Sequence, residues 1–517
     1  MPHPVAATPS LAGRAALAVV LMVGFYALAL AVSAALVWVP YAEWHYLDRI
    51  DGRIALFCLA GAAAILWGVM PRIDRFEPPG PELREADQPA LFAELRATAA
   101  AAGQRMPREV YLIPDLNAWV AQRGGVMGFG SHRVMGLGLS LMQVVTVDEM
   151  RAVLAHEFGH YHGGDTALGP WIYKTRAAIV RTLEQVSGTS ELLALPFLWY
   201  GKAFLRITHA ISRRQEFAAD ALAARVAGAK PLASALRAIH GTGAAFGPYW
   251  GSEVMPAISR GFRPPLGDGF RRFIAAPKVE EGVAKVLEEE LRTGAVDPYD
   301  THPPLRDRLA ALAPLGGADG ANGAPPASGG RPAASLLRDV EALEAALVDS
   351  LIREEHRGKL NPVAWEEAGE RVWAPVWREQ TGLRAAQLAG LTPAMLPRYA
   401  AAGGELAYMM GMAPMRDGAS AEQVAVAEGT VGAALATTLF DHGFAVRALP
   451  GAPVDLVRGD LVIRPFEVLG QLASKALSAE AWRAQCAAAG IESVDLGTVA
   501  APAAAAPPSG NVSRPSS

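Results

Sequence analysis

Cysteine is nearly absent from this 517-residue chain, which holds only Cys58 and Cys486. Two thiols so far apart support no disulfide scaffold and no thiolate metal site, and nucleophilic cysteine catalysis is not expected. Charged residues make up only 19% of the chain, the net charge is −4, and no basic cluster occurs, so no nucleic-acid partner is expected. What replaces them is apolar: 51% of residues are hydrophobic and the mean hydropathy is +0.19, high for a wholly soluble protein.

The start of the chain accounts for that excess. Ala15 to Val39 is 25 residues without a charge, longer than the roughly 30 Å hydrocarbon core requires. Ile54 to Met70 is a second uncharged run of 17 residues, at the short end of the spanning range. Trp38, Tyr41, Trp44 and Tyr46 cluster between them, where an aromatic belt would sit. A cleaved signal peptide is the alternative, but the first run is longer than a signal's apolar region and a second run follows. Residues 1–80 are therefore expected to form a membrane anchor with spans at about 15–39 and 54–70. Arg14 precedes the first span. Arg49 and Arg53 share the loop with Glu43, Asp48 and Asp51, and Arg72, Arg75 and Arg84 follow the second. The balance leans toward both ends cytoplasmic.

Chemistry enters with His156-Glu157-Phe158-Gly159-His160, inside a helix expected from Val147 to about His162. Residues four apart share a helix face, so His156 and His160 can offer two imidazole nitrogens to one ion, with Glu157 beside them as a proton acceptor. That is a zinc hydrolase arrangement. Thr146 and Glu149 form a capping-box pair, Met150, Leu154 and Phe158 a core stripe, and Gly163-Gly164 a stop. A third histidine six residues after the second is excluded, because that position is Thr166. Glu216 and Asp220, one turn apart in an alanine-rich helix ending near Gly228, supply the best remaining ligand and a partner for a ligand histidine. Salt bridging to Arg213 or Arg214 is the plainer alternative for those carboxylates.

The stretch HEFGH, then SRRQEFAADAL, then Thr301-His302-Pro303-Pro304-Leu305, resembles the HtpX-like and CAAX-prenyl-protease-like membrane zinc metallopeptidases over roughly residues 82 to 313. The resemblance implies one zinc per chain held by His156, His160 and Glu216, with Glu157 as general base and Asp220 supporting the ligands. His302 matches a downstream histidine expected near the active site; a loop histidine before a Pro-started helix is the alternative. Asn117-Ala118 also resembles an Asn-Ala pair of the family. The implied activity is hydrolysis of peptide bonds in protein or peptide substrates. Quality control of membrane proteins from the cytoplasmic face of a bacterial inner (plasma) membrane is the implied setting. The other reading is a catalytically silent scaffold or receptor that keeps the fold and binds through its C-terminal domain.

The expected fold is mainly α with a small β-sheet: the N-terminal transmembrane hairpin, a zincin-like α+β metallopeptidase domain over 81–315, and a separate C-terminal α+β domain. An amphipathic helix is expected from Pro81 to about Gly103, followed by strands Glu109 to Ile113, Asn117 to Ala121 and Arg133 to Leu141 around a Pro114-Asp115 turn. Met135 to Leu141 is the candidate edge for an added substrate strand, or else a core strand. Leu168 to Leu183 and Glu191 to Ile211 are apolar but carry Lys174, Arg176, Arg181, Lys202, Arg206 and His209, which points to amphipathic helices against the membrane or the domain, although relatives place spans there. Residues 316–335 are a Gly/Ala/Pro/Ser linker, 336–496 the C-terminal domain with Trp365, Trp373 and Trp377 in its core and no metal or nucleophile cluster, and 497–517 a disordered tail. His356 and His442 are isolated. No feature of the sequence speaks to an oligomeric state.

Overall fold

The computed structural model describes residues 11–70, 76–124, 130–161, 169–188, 190–294, 303–316, 330–400, 402–415 and 418–498. His302, Thr166, the Gly163-Gly164 stop, Arg72, Arg75, most of the 316–335 linker and residues 499–517 of the tail lie outside them.

Helix α1 (Leu11–Leu47) is followed by α2 (Gly52–Val69), started by Asp51, whose carboxylate accepts from the Arg53 and Ile54 amides at 2.8 and 3.3 Å. Both are long and apolar enough to cross a membrane. Only one stripe of each is covered: Met22, Phe25, Ala29 and Leu36 meet Cys58, Ala62 and Ile65. Val20, Val23, Leu30, Leu56 and Trp67 point outward, an apolar surface that water does not favour and lipid does. The protein is a membrane protein.

Between the chain's membrane entry and the helix that carries His156 lies a small sheet. Its strands are β1 (Glu82–Leu83), then β2 (Glu109–Ile113) after helix α3 (Pro89–Ala101), then β3 (Ala118–Arg123) and β4 (His132–Gly138). Their order is β1-β2-β4-β3, with β2 and β4 parallel and the other pairs antiparallel. This corrects the expected edge. The segment from Met135 is the interior of the sheet, and β3 is its rim. The reason lies in composition: Val134 to Gly138 is buried on both faces, as an interior strand must be, whereas β3 is only partly covered beyond Ala118 and ends in Gln122 and Arg123. Gly138 closes the arrangement, because a Cβ there would lie 2.1 Å from the Asp115 carbonyl oxygen. The run then leaves the sheet as helix α4 (Leu139–Val144), so Leu139 to Leu141 are helical rather than extended.

Helix α5 (Val147–Gly159) begins with the expected capping box: the Glu149 carboxylate accepts from the Thr146 amide at 2.7 Å, and the Thr146 hydroxyl accepts from the Glu149 amide at 3.3 Å. Met150, Leu154 and Phe158 are its buried stripe. Residues 330–337 clasp the same end: the Val147 amide donates to the Arg331 carbonyl at 2.8 Å, and the Ala333 amide to the Val145 carbonyl at 2.9 Å. Gln88 holds Arg338 through both its amide atoms, at 2.8 and 3.0 Å.

Helices α6 (Gly169–Ser187) and α7 (Glu191–Ala227) are not among the described helices long and apolar enough to cross a membrane, and they pack against α1 and α2. Ala178, Ile179 and Val186 of α6 and Ala194, Phe197 and Phe204 of α7 share one apolar core with α1 and α2. The Tyr200 hydroxyl donates to the Leu21 carbonyl at 2.7 Å. Leu192, Leu195 and Trp199 face outward, continuing the lipid-compatible surface. In α7 Leu192 to Gly201 is uncharged and Lys202 and Arg206 follow it, while Arg181 of α6 donates to the Gly68 carbonyl of α2 at 3.4 Å.

Contacts within the chain define two compact units. One comprises residues 1–247, 266–271 and 280–358; the other comprises 248–265, 272–279 and 359–517. The division after Gly358 assigns the helix Val340–Leu351 to the first unit, where Glu344 accepts from the Leu266 and Gly267 amides at 3.0 and 2.8 Å. The second unit is α+β: a three-stranded antiparallel sheet (Ala445–Arg447, Asp455–Arg458, Leu461–Ile463) with the helix Ala421–Asp441 in its core. That helix is also apolar enough to span a membrane, but 56% of its window is buried against 28% for α1, and its packing marks it as a core helix.

Candidate metal centre

Small residues bring the candidate metal-binding side chains together. Ala152, Ala155 and Ala223 are packed in one cluster where α5 crosses α7. Gly159 sets the closest point, since a Cβ there would stand 2.8 Å from the Ala219 Cα. The two helices can therefore approach until His156 and His160 on one meet Glu216 and Asp220 on the other.

His156 Nε2 lies 3.4 Å from Glu216 Oε2, and His160 Nε2 lies 3.6 Å from Glu216 Oε1. Four ligands at about 2.1 Å from a tetrahedral ion stand about 3.4 Å from one another, so this spacing suits a shared ion. Donor atoms of His156, Glu157 and His160 all fall within 4.8 Å of each other. Two nitrogens and a carboxylate oxygen are the donor set of a catalytic site with an open fourth position. The donors fit a zinc-like ion.

Behind His156 is a buried layer. Its Nδ1–H donates to Asp220 Oδ1 at 2.8 Å, which leaves Nε2 as the nitrogen that could face an ion. Asp220 in turn takes two hydrogen bonds from Arg308, Nε to Oδ2 at 2.8 Å and Nη2 to Oδ1 at 2.7 Å. Arg308 also stands 3.8 Å from Glu216. Burial pushes the His156 imidazolium toward losing its proton, but the carboxylates of Asp220 and then Glu216 more than reverse this and raise its pKa to about 9. Burial likewise pushes Asp220 up, and the Arg308 and His156 hydrogen bonds outweigh it and hold the carboxyl below its usual range.

Arg308 is the residue that sequence reasoning missed. It lies on the Leu305–Leu312 helix started by Pro304, on the buried stripe formed by Leu305, Arg308 and Leu312. A cation at a core position three residues from one leucine and four from the next was the available signal. His302, five residues from the Asp307 next to it, lies outside the described residues.

Beside the site, α5 packs against β3. The Tyr161 hydroxyl, one residue past His160, donates to the Val120 carbonyl on β3 at 2.9 Å. The other unit offers nothing comparable among the described residues: His442 Nδ1 faces its own helix at the Thr438 carbonyl, 2.8 Å away, and burial pushes the Cys486 thiol up to about 12.

With that geometry in place, the likeness to known proteins is informative. The profile of Peptidase family M48 matches residues 85–315. A Protease HtpX homolog of Burkholderia multivorans is 30% identical over 239 residues, covering 42% of this chain and 79% of that protein. Protease HtpX homologs of Burkholderia mallei and Burkholderia thailandensis are each 29% identical over the same coverage. No solved structure matches. The matched stretch holds β2 to β4, helices α5 and α7 and Arg308, and the chain belongs to peptidase family M48, among the HtpX-like membrane metallopeptidases.

Proposed function

We propose that this protein is a zinc endopeptidase in which His156, His160 and Glu216 hold one zinc and Glu157 is the general base. The observation that carries the reading is the Glu216 carboxylate lying 3.4 and 3.6 Å from the two histidine Nε2 atoms, the spacing of neighbours around a tetrahedral ion. Bound zinc would supply a Lewis acid that polarises the scissile carbonyl and acidifies water. Glu157 then accepts the proton of the attacking water and returns it to the leaving amine. Asp220, fixed by Arg308, keeps the His156 proton on Nδ1, so Nε2 stays free for the ion. The substrate would lie along β3 as an added strand, read through its backbone, which favours loose sequence specificity.

Substrates would be membrane proteins and their cytosolic loops, as in quality control. Lys174 and Arg176 in the first half of α6, and Lys202 and Arg206 between the bundle core and Glu216, add cations on the peptidase side of the bundle, which favours a cytoplasmic active site. Compartment-specific reporters fused after Gly316 would give a cytoplasmic signal; an outside signal would overturn the orientation. Chemistry is tested by Glu157→Gln in detergent-solubilised protein: one zinc retained per chain and proteolysis lowered by about 10²- to 10⁴-fold are expected. Undiminished cleavage would end the assignment.

A further inference from the structure

The register of the sheet says which backbone groups of β3 are free for a substrate. Ala118 pairs with Leu137 and Val120 with Met135, and the Gly138 amide donates to the Asn117 carbonyl at 2.8 Å. That bond makes Asn117 and Gly138 a hydrogen-bonded pair, so the pairs alternate and Ala118, Val120 and Gln122 turn their amide N–H and C=O groups away from β4. These outward groups are the rim on which a substrate strand would be built. One of them is taken, because the Val120 carbonyl already accepts from Tyr161.

We propose that Tyr161 is a specificity-determining residue that ends substrate pairing along β3 by holding the Val120 carbonyl against an incoming backbone N–H. The inference rests on the peptidase reading. The ring is fixed where it stands: the Arg133 guanidinium lies 4.3 Å from its centroid. An extended peptide can pair with Ala118 without disturbance. To continue past Val120 it must share that carbonyl with the Tyr161 hydroxyl, in a weaker and more crowded bond, or displace it. The site would thus accept short extended segments, such as exposed ends or loops, over long strands.

The test compares wild type with Tyr161→Phe, which removes the hydroxyl and keeps the ring under Arg133, on two fluorogenic peptides: a short one, and the same sequence extended by four residues at each end. Removing the competing donor should lower KM for the extended peptide by about two- to tenfold, the worth of one net hydrogen bond, with kcat unchanged and the short peptide unaffected. Equal KM values for both enzymes on the extended peptide would overturn the proposal. So would a fall in kcat on both peptides, which would make the phenol part of the reaction or the fold. If the Phe variant does not fold, Tyr161→Leu carries the same comparison. Failure of wild type to cleave either peptide would sink the peptidase reading instead, and the Tyr161 assignment would then be read from binding of both peptides by fluorescence anisotropy, where equal affinities for wild type and variant on the extended peptide overturn it.

Discussion

In the core of the C-terminal unit the buried polar side chains are Thr381, Thr437 and Thr438, whose hydroxyls donate to the carbonyls four residues earlier in their own helices, at 2.8, 2.9 and 3.0 Å. The peptidase unit buries threonines in the same way, Thr98 and Thr208 among them, but it also buries Glu149, His156, Glu216, Asp220, Arg308 and Glu344. A hydroxyl bonded to its own helix costs little and does nothing beyond packing. Ionised groups out of water are costly unless each is paired, and Asp220, Arg308 and His156 are paired with one another. The difference separates a core that only packs from one that holds charge in place for chemistry.

Breaking the charged layer should have the largest effect. Replacing Arg308 with Met leaves Asp220 buried with less of its compensation, and a loss of about 3–5 kcal/mol in the denaturant-induced unfolding of the peptidase unit is expected. A loss under about 1 kcal/mol would place Arg308 among ordinary surface cations.

A second effect is proton competition. In the metal-free chain His156 holds its proton up to about 9, and zinc must displace that proton. This pKa is raised above the ordinary histidine value of about 6.5, so below about pH 9 each unit of rising pH should tighten zinc binding about tenfold from this residue alone. Titration calorimetry from pH 7 to 9 checks the slope; a plateau beginning near pH 6.5 would mean that Asp220 and Glu216 do not hold the proton. The smallest effect belongs to the other core. Thr437→Val in the C-terminal unit removes a hydroxyl bonded to its own helix and should change stability by less than about 1 kcal/mol, with zinc content unchanged.

Much of the centre was legible in the sequence because its residues are local. The His156 to His160 spacing, the Thr146 and Glu149 cap and the Met150, Leu154 and Phe158 stripe each follow from a helical repeat within a few turns. Glu216, proposed from the need for a third ligand, lies 3.4 and 3.6 Å from the two histidine Nε2 atoms. Arg308 was not foreseen, since nothing local relates the Leu305–Leu312 helix to Asp220, 88 residues before. The sheet shows the same limit: all three strands near the site were placed within a few residues, but which of them lies at the rim depends on a pairing order that local periodicity does not carry. The charges in the helix pair after α5 spoke against spanning, but that the pair packs on α1 and α2 depends on contacts between segments more than 100 residues apart, such as Arg181 with the Gly68 carbonyl.

The most direct test of the metal centre is zinc content by atomic absorption across two variants. Glu216→Ala removes a ligand, and the protein should be purified without zinc. Asp220→Asn removes only the acceptor behind His156, and zinc should remain bound with affinity weakened about ten- to a hundredfold. Stoichiometric zinc in Glu216→Ala together with metal-free Asp220→Asn would contradict the account, making Asp220 the ligand and Glu216 its support.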